Sequence, residues 1–359
     1  MRNLRSLTLS PHPSTNFIVG PNGSGKTSLL EAIGILSSGR SFRTPILKKV
    51  VTHDCADLVV FAEIQANADA ECHRVGIRRA LSGETLIKID GEKRDRLSEL
   101  AALVPTVELC ASSFEWVDGG PGERRQILDW GLFHVEHSYA DLVRRYRVVL
   151  SQKNALLKSG DRRAISYQLV HWNQQLAELG DQIDRFRLQY VVELRECLDQ
   201  VLAGYFPDLP LSLTYRSGWS QSQYESLADC LAKNQETEME RGSCLYGPHR
   251  ADLVISWSGE SARDMCSRGQ KKLVLYAVRL AQVMLLLNKN SVRPILLLDD
   301  LPAELDATNI EKVTRFLSDY PCQTFITAIT KDVLEGSLLS SFRDHRLFHV
   351  EHGQLMSEI

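Results

Sequence analysis

Residues 20–27 read Gly20-Pro21-Asn22-Gly23-Ser24-Gly25-Lys26-Thr27, a G-x-x-x-x-G-K-[ST] run that commits the chain to a strand, a phosphate-wrapping loop and a helix in that order. Asn16-Phe17-Ile18-Val19 reads as a short buried strand entering the loop, and Ser28 to Leu36 as the helix leaving it. Glycines free the backbone so that successive N–H groups face an anion, and the helix N-terminus adds partial positive charge. Lys26 is placed to reach the terminal phosphates and the Thr27 hydroxyl to ligate Mg²⁺. Gly20 through Ser28 are therefore the candidate site for a nucleoside triphosphate, ATP. A glycine-rich turn that binds nothing shares the pattern, so the reading needs a second site.

Far downstream, Pro294 is followed by Ile295-Leu296-Leu297-Leu298-Asp299-Asp300. An aliphatic run suits a parallel strand covered by helices on both faces, and ligands collect at the C-terminal ends of such strands. Asp299 is the candidate Mg²⁺ ligand and Asp300 the candidate base that orients an attacking water. A structural acid pair closing a strand is the alternative.

Composition narrows the class. The 359 residues, 43% of them apolar, suffice for a large core in two lobes. A net charge of -3 supplies no general attraction for nucleic acid, so such binding would rest on local basic patches. The cysteines, at 55, 72, 110, 197, 230, 244, 266 and 322, show no C-x-x-C spacing and read as thiols of a reducing compartment. No signal peptide or membrane-length apolar run is visible, which predicts a cytoplasmic protein.

The chain reads as α/β in three parts. Residues 1–106 hold the loop and two alternating segments, Leu58 to Ile64 and Thr85 to Ile89, that predict an antiparallel sheet. Residues 107–244 read as an inserted helical lobe. There Leu142, Val143, Tyr146, Val149, Leu150, Leu156 and Leu157 keep helical spacing up to a turn at Lys158-Ser159-Gly160-Asp161. Ile165, Leu169, Trp172, Leu176, Leu179, Ile183, Phe186 and Tyr190 then form a heptad stripe, which predicts an antiparallel helical hairpin. Residues 245–359 return to strands and helices and contain the paired acids.

Just upstream of those acids, Ser267-Arg268-Gly269-Gln270 opens a strongly periodic helix, Val274 to Leu287. This resembles the signature sequence of ATP-binding-cassette ATPases. A Ser hydroxyl, a Gly N–H and a helix N-terminus make a second phosphate clamp. Within one chain it would face away from the loop, so it implies a second copy and a head-to-tail, ATP-dependent homodimer. Ala303-Glu304-Leu305-Asp306 matches the D-loop that touches the partner subunit in this class, and Asp306 is carried as a catalytic candidate.

Nearly the whole chain resembles the RecF family of bacterial recombination-mediator ATPases. The matching elements are Leu30-Glu31-Ala32-Ile33, Gly39-Arg40-Ser41-Phe42-Arg43, Gly119-Gly120-Pro121 with Arg124-Arg125 and Leu128-Asp129-Trp130, and Gly247-Pro248-His249-Arg250-Ala251-Asp252-Leu253. The resemblance implies an ABC-type P-loop ATPase head with a helical second lobe. It also implies binding to duplex or gapped DNA and cooperation with RecR and RecO in loading RecA.

Several positions depart from the family pattern. The chain opens with Met1-Arg2-Asn3 where a strand usually leads into Phe-Arg-Asn, so a missing first strand and a bare sheet edge are expected. Ala111-Ser112-Ser113-Phe114 stands where many members carry Pro-Glu, and Cys266 where Leu is common. The switch position, a His in transporter cassettes, falls near Thr327-Ala328-Ile329-Thr330, making Thr327 and Thr330 catalytic candidates. A hydroxyl relays protons less readily than imidazole, so slow turnover is expected.

Candidate DNA contacts are Arg40, Arg43, Lys48, Lys49, Arg144 and Arg145, with Arg147, Arg162-Arg163 and Arg124-Arg125 as further clusters. Each is also what a solvated face carries, and Arg124-Arg125 could instead anchor the arm. No base-reading element is visible, so binding would be sequence-nonspecific. A transporter motor fits poorly with the inserted arm and the missing His. A chromosome-tethering SMC protein would need far longer coiled-coil arms, and a small-molecule kinase would not need the Ser267 segment.

Overall fold

The computed structural model describes residues 1–65, 71–110, 115–159, 162–289, 293–335, 338–342 and 344–358. Its strands are Thr15–Val19 (β1), Asp57–Gln65 (β2), Cys72–Ala80 (β3), Thr85–Ile89 (β4), Glu92–Arg94 (β5), Thr106–Leu109 (β6), Leu211–Arg216 (β7), Asp252–Trp257 (β8), Glu260–Ser261 (β9), Ile295–Leu298 (β10), Thr324–Ala328 (β11), His345–Glu351 (β12) and Gln354–Glu358 (β13). The chain divides into two compact units. One comprises Met1–Phe114, Gln200–Asp208 and Ser267–Ile359, the other Glu115–Asp199 and Leu209–Cys266.

In the first unit the principal sheet runs β13-β12-β1-β11-β10-β6. Here β1 is parallel to β11 and β12, β10 is parallel to β11 and β6, and β13 closes the edge antiparallel to β12. Every residue of β1 and β11 is buried, as expected of inner parallel strands. The register pairs Val19 with Ala328 and Leu298 with Ile326, so three strand ends emerge at one edge.

A second sheet, β2-β3-β4-β5, is antiparallel throughout. Its inner residues Leu58, Val75, Ile77, Ile87 and Ile89 pack on Ile35, Leu36, Val50 and Leu100. Strand β2 lies at the edge, with Val59 65% and Phe61 61% exposed. The strand β3, which the sequence reading passed over, spaces Val75 and Ile77 among arginines, an alternation suited to a half-buried sheet.

In the second unit, helices Tyr139–Lys158 and Arg162–Tyr205 make the predicted antiparallel pair. Leu157 clusters with Leu169 at one end, and the Tyr139 and Phe186 rings meet edge-on at 6.2 Å at the other. Leu169, Leu176, Leu179, Ile183 and Tyr190 of the stripe are buried, and Trp172 and Phe186 half-buried. The turn residues Gly160 and Asp161, and the Ile165 side chain, lie outside the described residues. The longer helix runs past the stripe to Tyr205, whose hydroxyl, within the first unit, donates to Asp319 Oδ2 at 2.6 Å.

Three segments fall differently from the expected three-part division. Residues 107–110 and 200–208 group with the first unit, the former because β6 pairs with β10, and residues 245–266 group with the second because β8 pairs along its length with β7. The second unit also buries Lys153 and Glu238, both 0% exposed, as an ion pair at 2.6 Å. Removing one partner of such a pair strands the other charge, at about 3–5 kcal/mol. Glu238→Ala should lower the urea midpoint accordingly, and Lys153→Met with Glu238→Leu should recover most of the loss.

Candidate functional site

The shared register of β1, β10 and β11 sets three chain segments against one another. After β1 comes the loop Gly20–Gly25, with φ of 156° at Gly20, 78° at Gly23 and 118° at Gly25. These left-handed values favour glycine, and a Cβ at Gly20 would lie 2.0 Å from the Val350 carbonyl oxygen. The helix Lys26–Ser38 follows directly, two residues earlier than the sequence reading placed it. Lys26 is nearly buried, and its Nζ donates to the carbonyls of Gly20 at 2.6 Å and Pro21 at 3.1 Å. Burial pulls its pKa down, while Asp300 and Asp299 push it up.

After β10, Asp299 Oδ1 accepts from Thr27 Oγ1 at 3.0 Å and from Thr327 Oγ1 at 2.8 Å. The Thr327 oxygen also accepts from the Asp300 N–H at 2.7 Å. Asp300 takes a left-handed conformation, φ 52° and ψ 43°, immediately before the short helix Leu301–Glu304 and makes no side-chain cap to it. Aspartate tolerates this region better than most side chains. Burial, reinforced by Asp299, raises the Asp300 pKa against the lowering effect of Lys26. One hydroxyl and two neighbouring carboxylates are hard oxygen donors that suit Mg²⁺.

Thr327, the candidate at the switch position, has a fully buried side chain whose hydroxyl is committed to Asp299 and to the Asp300 N–H. Thr330 lies beyond β11 and is exposed. Asp306, expected among the catalytic residues, caps the helix Ala307–Asp319. Its carboxylate accepts from Asn309 N at 2.9 Å and Asn309 Nδ2 at 2.8 Å, bonds that hold its pKa down.

The signature segment begins the helix Arg268–Lys289 with a reciprocal capping box. Ser267 N donates to Gln270 Oε1 at 2.8 Å, and Gln270 N donates to Ser267 Oγ at 3.3 Å. Ser267, Arg268 and Gly269 are exposed. Lys272 joins this helix to the D-loop, pairing with Glu304 Oε2 at 2.7 Å.

Among the basic candidates, Arg40, Arg43, Lys48, Lys49 and Arg145 are exposed, and Arg144 pairs with Asp141. Arg124 is used otherwise. It grips Asp252 with two bonds, at 2.8 and 2.9 Å, while Arg125 donates to the Ala251 carbonyl at 2.7 Å. The pair anchors β8 within the second unit. The Ala111–Phe114 stretch lies outside the described residues.

The sequence reading missed the contacts of Arg2 and Asn3. Arg2 pairs with Glu31, a fully buried carboxylate that also accepts from Ser41 Oγ. Asn3 Nδ2 donates to the Gly23 carbonyl at 2.9 Å, and Asn3 Oδ1 accepts from Ser28 Oγ at 3.2 Å. The available signal was a buried-helix acid, Glu31, in need of a cation.

Loop, paired acids and capped signature helix on one parallel sheet define the class: a P-loop ATPase head of the cassette type. The family described as RecF/RecN/SMC N terminal domain matches residues 1–353. The chain is 38% identical to the DNA replication and repair protein RecF of Pseudoalteromonas translucida, covering 99% of this chain and 97% of that one. It is 36% identical to the RecF of Chromohalobacter salexigens, covering 100% and 97%. The chain therefore belongs to the RecF family. Among solved structures, the recombination mediator protein RecF with ATP, of the RecFOR pathway, superposes with a TM-score of 0.85 at 26% identity, covering 100% of this chain and 95% of that one. An Smc head bound to the C-winged helix domain of ScpA shares the fold, with a TM-score of 0.56 at 12% identity over 100% of this chain and 94% of that one. Among the described residues no helix is long and apolar enough to cross a membrane.

Thr327→Val keeps the shape of the residue but removes a hydroxyl with two partners. Leaving a buried group unpaired costs about 1–3 kcal/mol, so thermal unfolding should shift down and ATP turnover should fall with it.

Proposed function

We propose that the chain is an ATP-dependent DNA clamp of recombinational repair and replication-fork maintenance, cytoplasmic, with slow, DNA-stimulated hydrolysis. ATP would sit on Gly20–Ser28, and Thr27 and Asp299 are the residues that would hold Mg²⁺, which would supply charge neutralisation at the terminal phosphates. Lys26 exchanges the Gly20 and Pro21 carbonyls for phosphate oxygens. Asp300, next to the metal ligand and less acidic than a free aspartate, orients the attacking water. The observation that carries this reading is the Thr27–Asp299–Thr327 hydrogen-bonded set, which ties the motif's last residue to the end of β10 and, through the shared Asp299 oxygen, to β11.

Head-to-tail dimerisation is supported by the exposed signature. Gly269 stands in the first turn of the helix Arg268–Lys289, where an added Cβ would meet nothing within 4 Å, so packing within one copy does not require glycine there. The reason for glycine then lies outside one copy: an approaching phosphate. The exposed Arg40, Arg43, Lys48 and Lys49 of the first unit, and separately Arg144 and Arg145 of the second, are the candidate phosphate contacts on duplex or gapped DNA; two copies would double their number, and binding would be independent of sequence and sensitive to salt. The similarity to RecF proteins of the RecFOR pathway supports work with RecR and RecO in loading RecA.

Sedimentation with ATP and gapped DNA tests the clamp. Ser267→Arg should bind ATP at wild-type strength yet stay monomeric and lose ATP-dependent DNA retention; a variant that still dimerises would overturn the in-trans role. Asp300→Asn should slow hydrolysis by about a hundredfold or more while prolonging the ATP-bound dimer on DNA. Hydrolysis at the wild-type rate would move the base elsewhere.

A further inference from the structure

The phosphate loop is held from outside at two consecutive peptide groups. The turn between β12 and β13 brings the Gly353 N–H to the Ser24 carbonyl at 2.8 Å, one residue along from the Gly23 carbonyl that Asn3 Nδ2 holds at 2.9 Å. A peptide unit is planar, with its C=O and N–H on opposite sides. Fixing the Ser24 carbonyl outward therefore aims the Gly25 N–H inward, toward the anion. The Gly23–Ser24 peptide is held at both ends, by Asn3 on its oxygen and by Pro21 O, which accepts from its N–H at 3.2 Å.

The two holding residues also touch each other. Gly353 is buried with φ 74°, and a Cβ there would lie 2.3 Å from the Asn3 carbonyl oxygen, which is backbone and cannot swing aside. A Cβ at Gly25 would meet Leu4 Cδ2 at 2.8 Å and Asn3 Nδ2 at 3.2 Å, so the same short segment lies flush on the loop. Space and backbone angle both demand glycine at 353, in a turn far in sequence from any nucleotide motif.

We propose that Asn3 and Gly353 are positioning residues that preset the phosphate loop, making the β12–β13 turn a determinant of triphosphate affinity. This rests on the reading of Gly20–Ser28 as a nucleotide site. A loop already shaped for its ligand binds without an ordering penalty, and one released from its brace must be ordered by the ligand.

The test is titration of the full-length protein with Mg-ATP, with steady-state turnover alongside, for wild type, Gly353→Val, Asn3→Ala, the double variant and Lys26→Ala. Gly353→Val and Asn3→Ala should each raise Kd and KM about tenfold, a step of about 1.4 kcal/mol, while kcat at saturating ATP stays near wild type. The double variant should lose less than the product of the two, because neighbouring groups sharing one loop are not additive. Asn3→Ala introduces no positive-φ strain, so it keeps the test open should Gly353→Val fold poorly. Wild-type Kd in Asn3→Ala and in whichever Gly353 variant folds would overturn the brace and leave the nucleotide site standing. A fall in kcat with KM unchanged would also overturn it. Equal ATP binding by wild type and Lys26→Ala would overturn the nucleotide site itself.

Discussion

One carboxylate oxygen, Asp299 Oδ1, accepts from hydroxyls on two other segments of the chain. That arrangement depends on the register of β1, β11 and β10, since Asp299 follows β10 directly, Thr327 lies in β11, and Thr27 is in the helix to which the loop after β1 leads. It also fixes Thr27 at the head of its helix, where the glycine loop must turn through left-handed angles to arrive. The sheet's strand order, the loop's composition and the orientation of the acids are thus one geometric requirement. A slip of one residue in β10 would carry Leu298 to the opposite face of the sheet and Asp299 away from both threonines.

How much of this was legible in the sequence depended on whether a residue's role is local. The loop, the aliphatic strand before Asp299 and the heptad stripe are read within a few turns of chain, and all three stand where the spacing put them. Thr327 is visible in sequence only as one of several residues near the switch position; which of them meets Asp299 depends on the register of β11 with β10, and no local pattern gives that. Asp306 illustrates a different ambiguity. An acid three residues before Asn309 at a helix start satisfies backbone donors as readily as it could do chemistry, and here it caps. The contacts of Asn3 and Gly353 with the loop join distant parts of the chain, and no local pattern carries such information.

The Gly247–Leu253 stretch shows how a family hallmark can be structural. The Pro248 carbonyl accepts from Arg187 Nη1 at 2.7 Å, and Arg187 also binds Asp129 at 2.7 Å and the Tyr139 hydroxyl at 2.9 Å. Arg125 and Arg124 take the next carbonyl and carboxylate, at Ala251 and Asp252. Arginine's planar fork suits such multi-point holding, which lysine's single ammonium does not reproduce. Two elements recognised separately in sequence, Arg124-Arg125 with Leu128-Asp129-Trp130 and the Gly247 stretch, are the two sides of one polar joint inside the helical unit.

The resting position of Lys26, folded back on the carbonyls of its own loop, has a bearing on selectivity. A cation already satisfied by two internal acceptors yields them only to a visitor with enough negative charge to win the exchange. Any anion that draws Lys26 outward must offer more than the two carbonyls it gives up, a threshold set by the loop's own backbone.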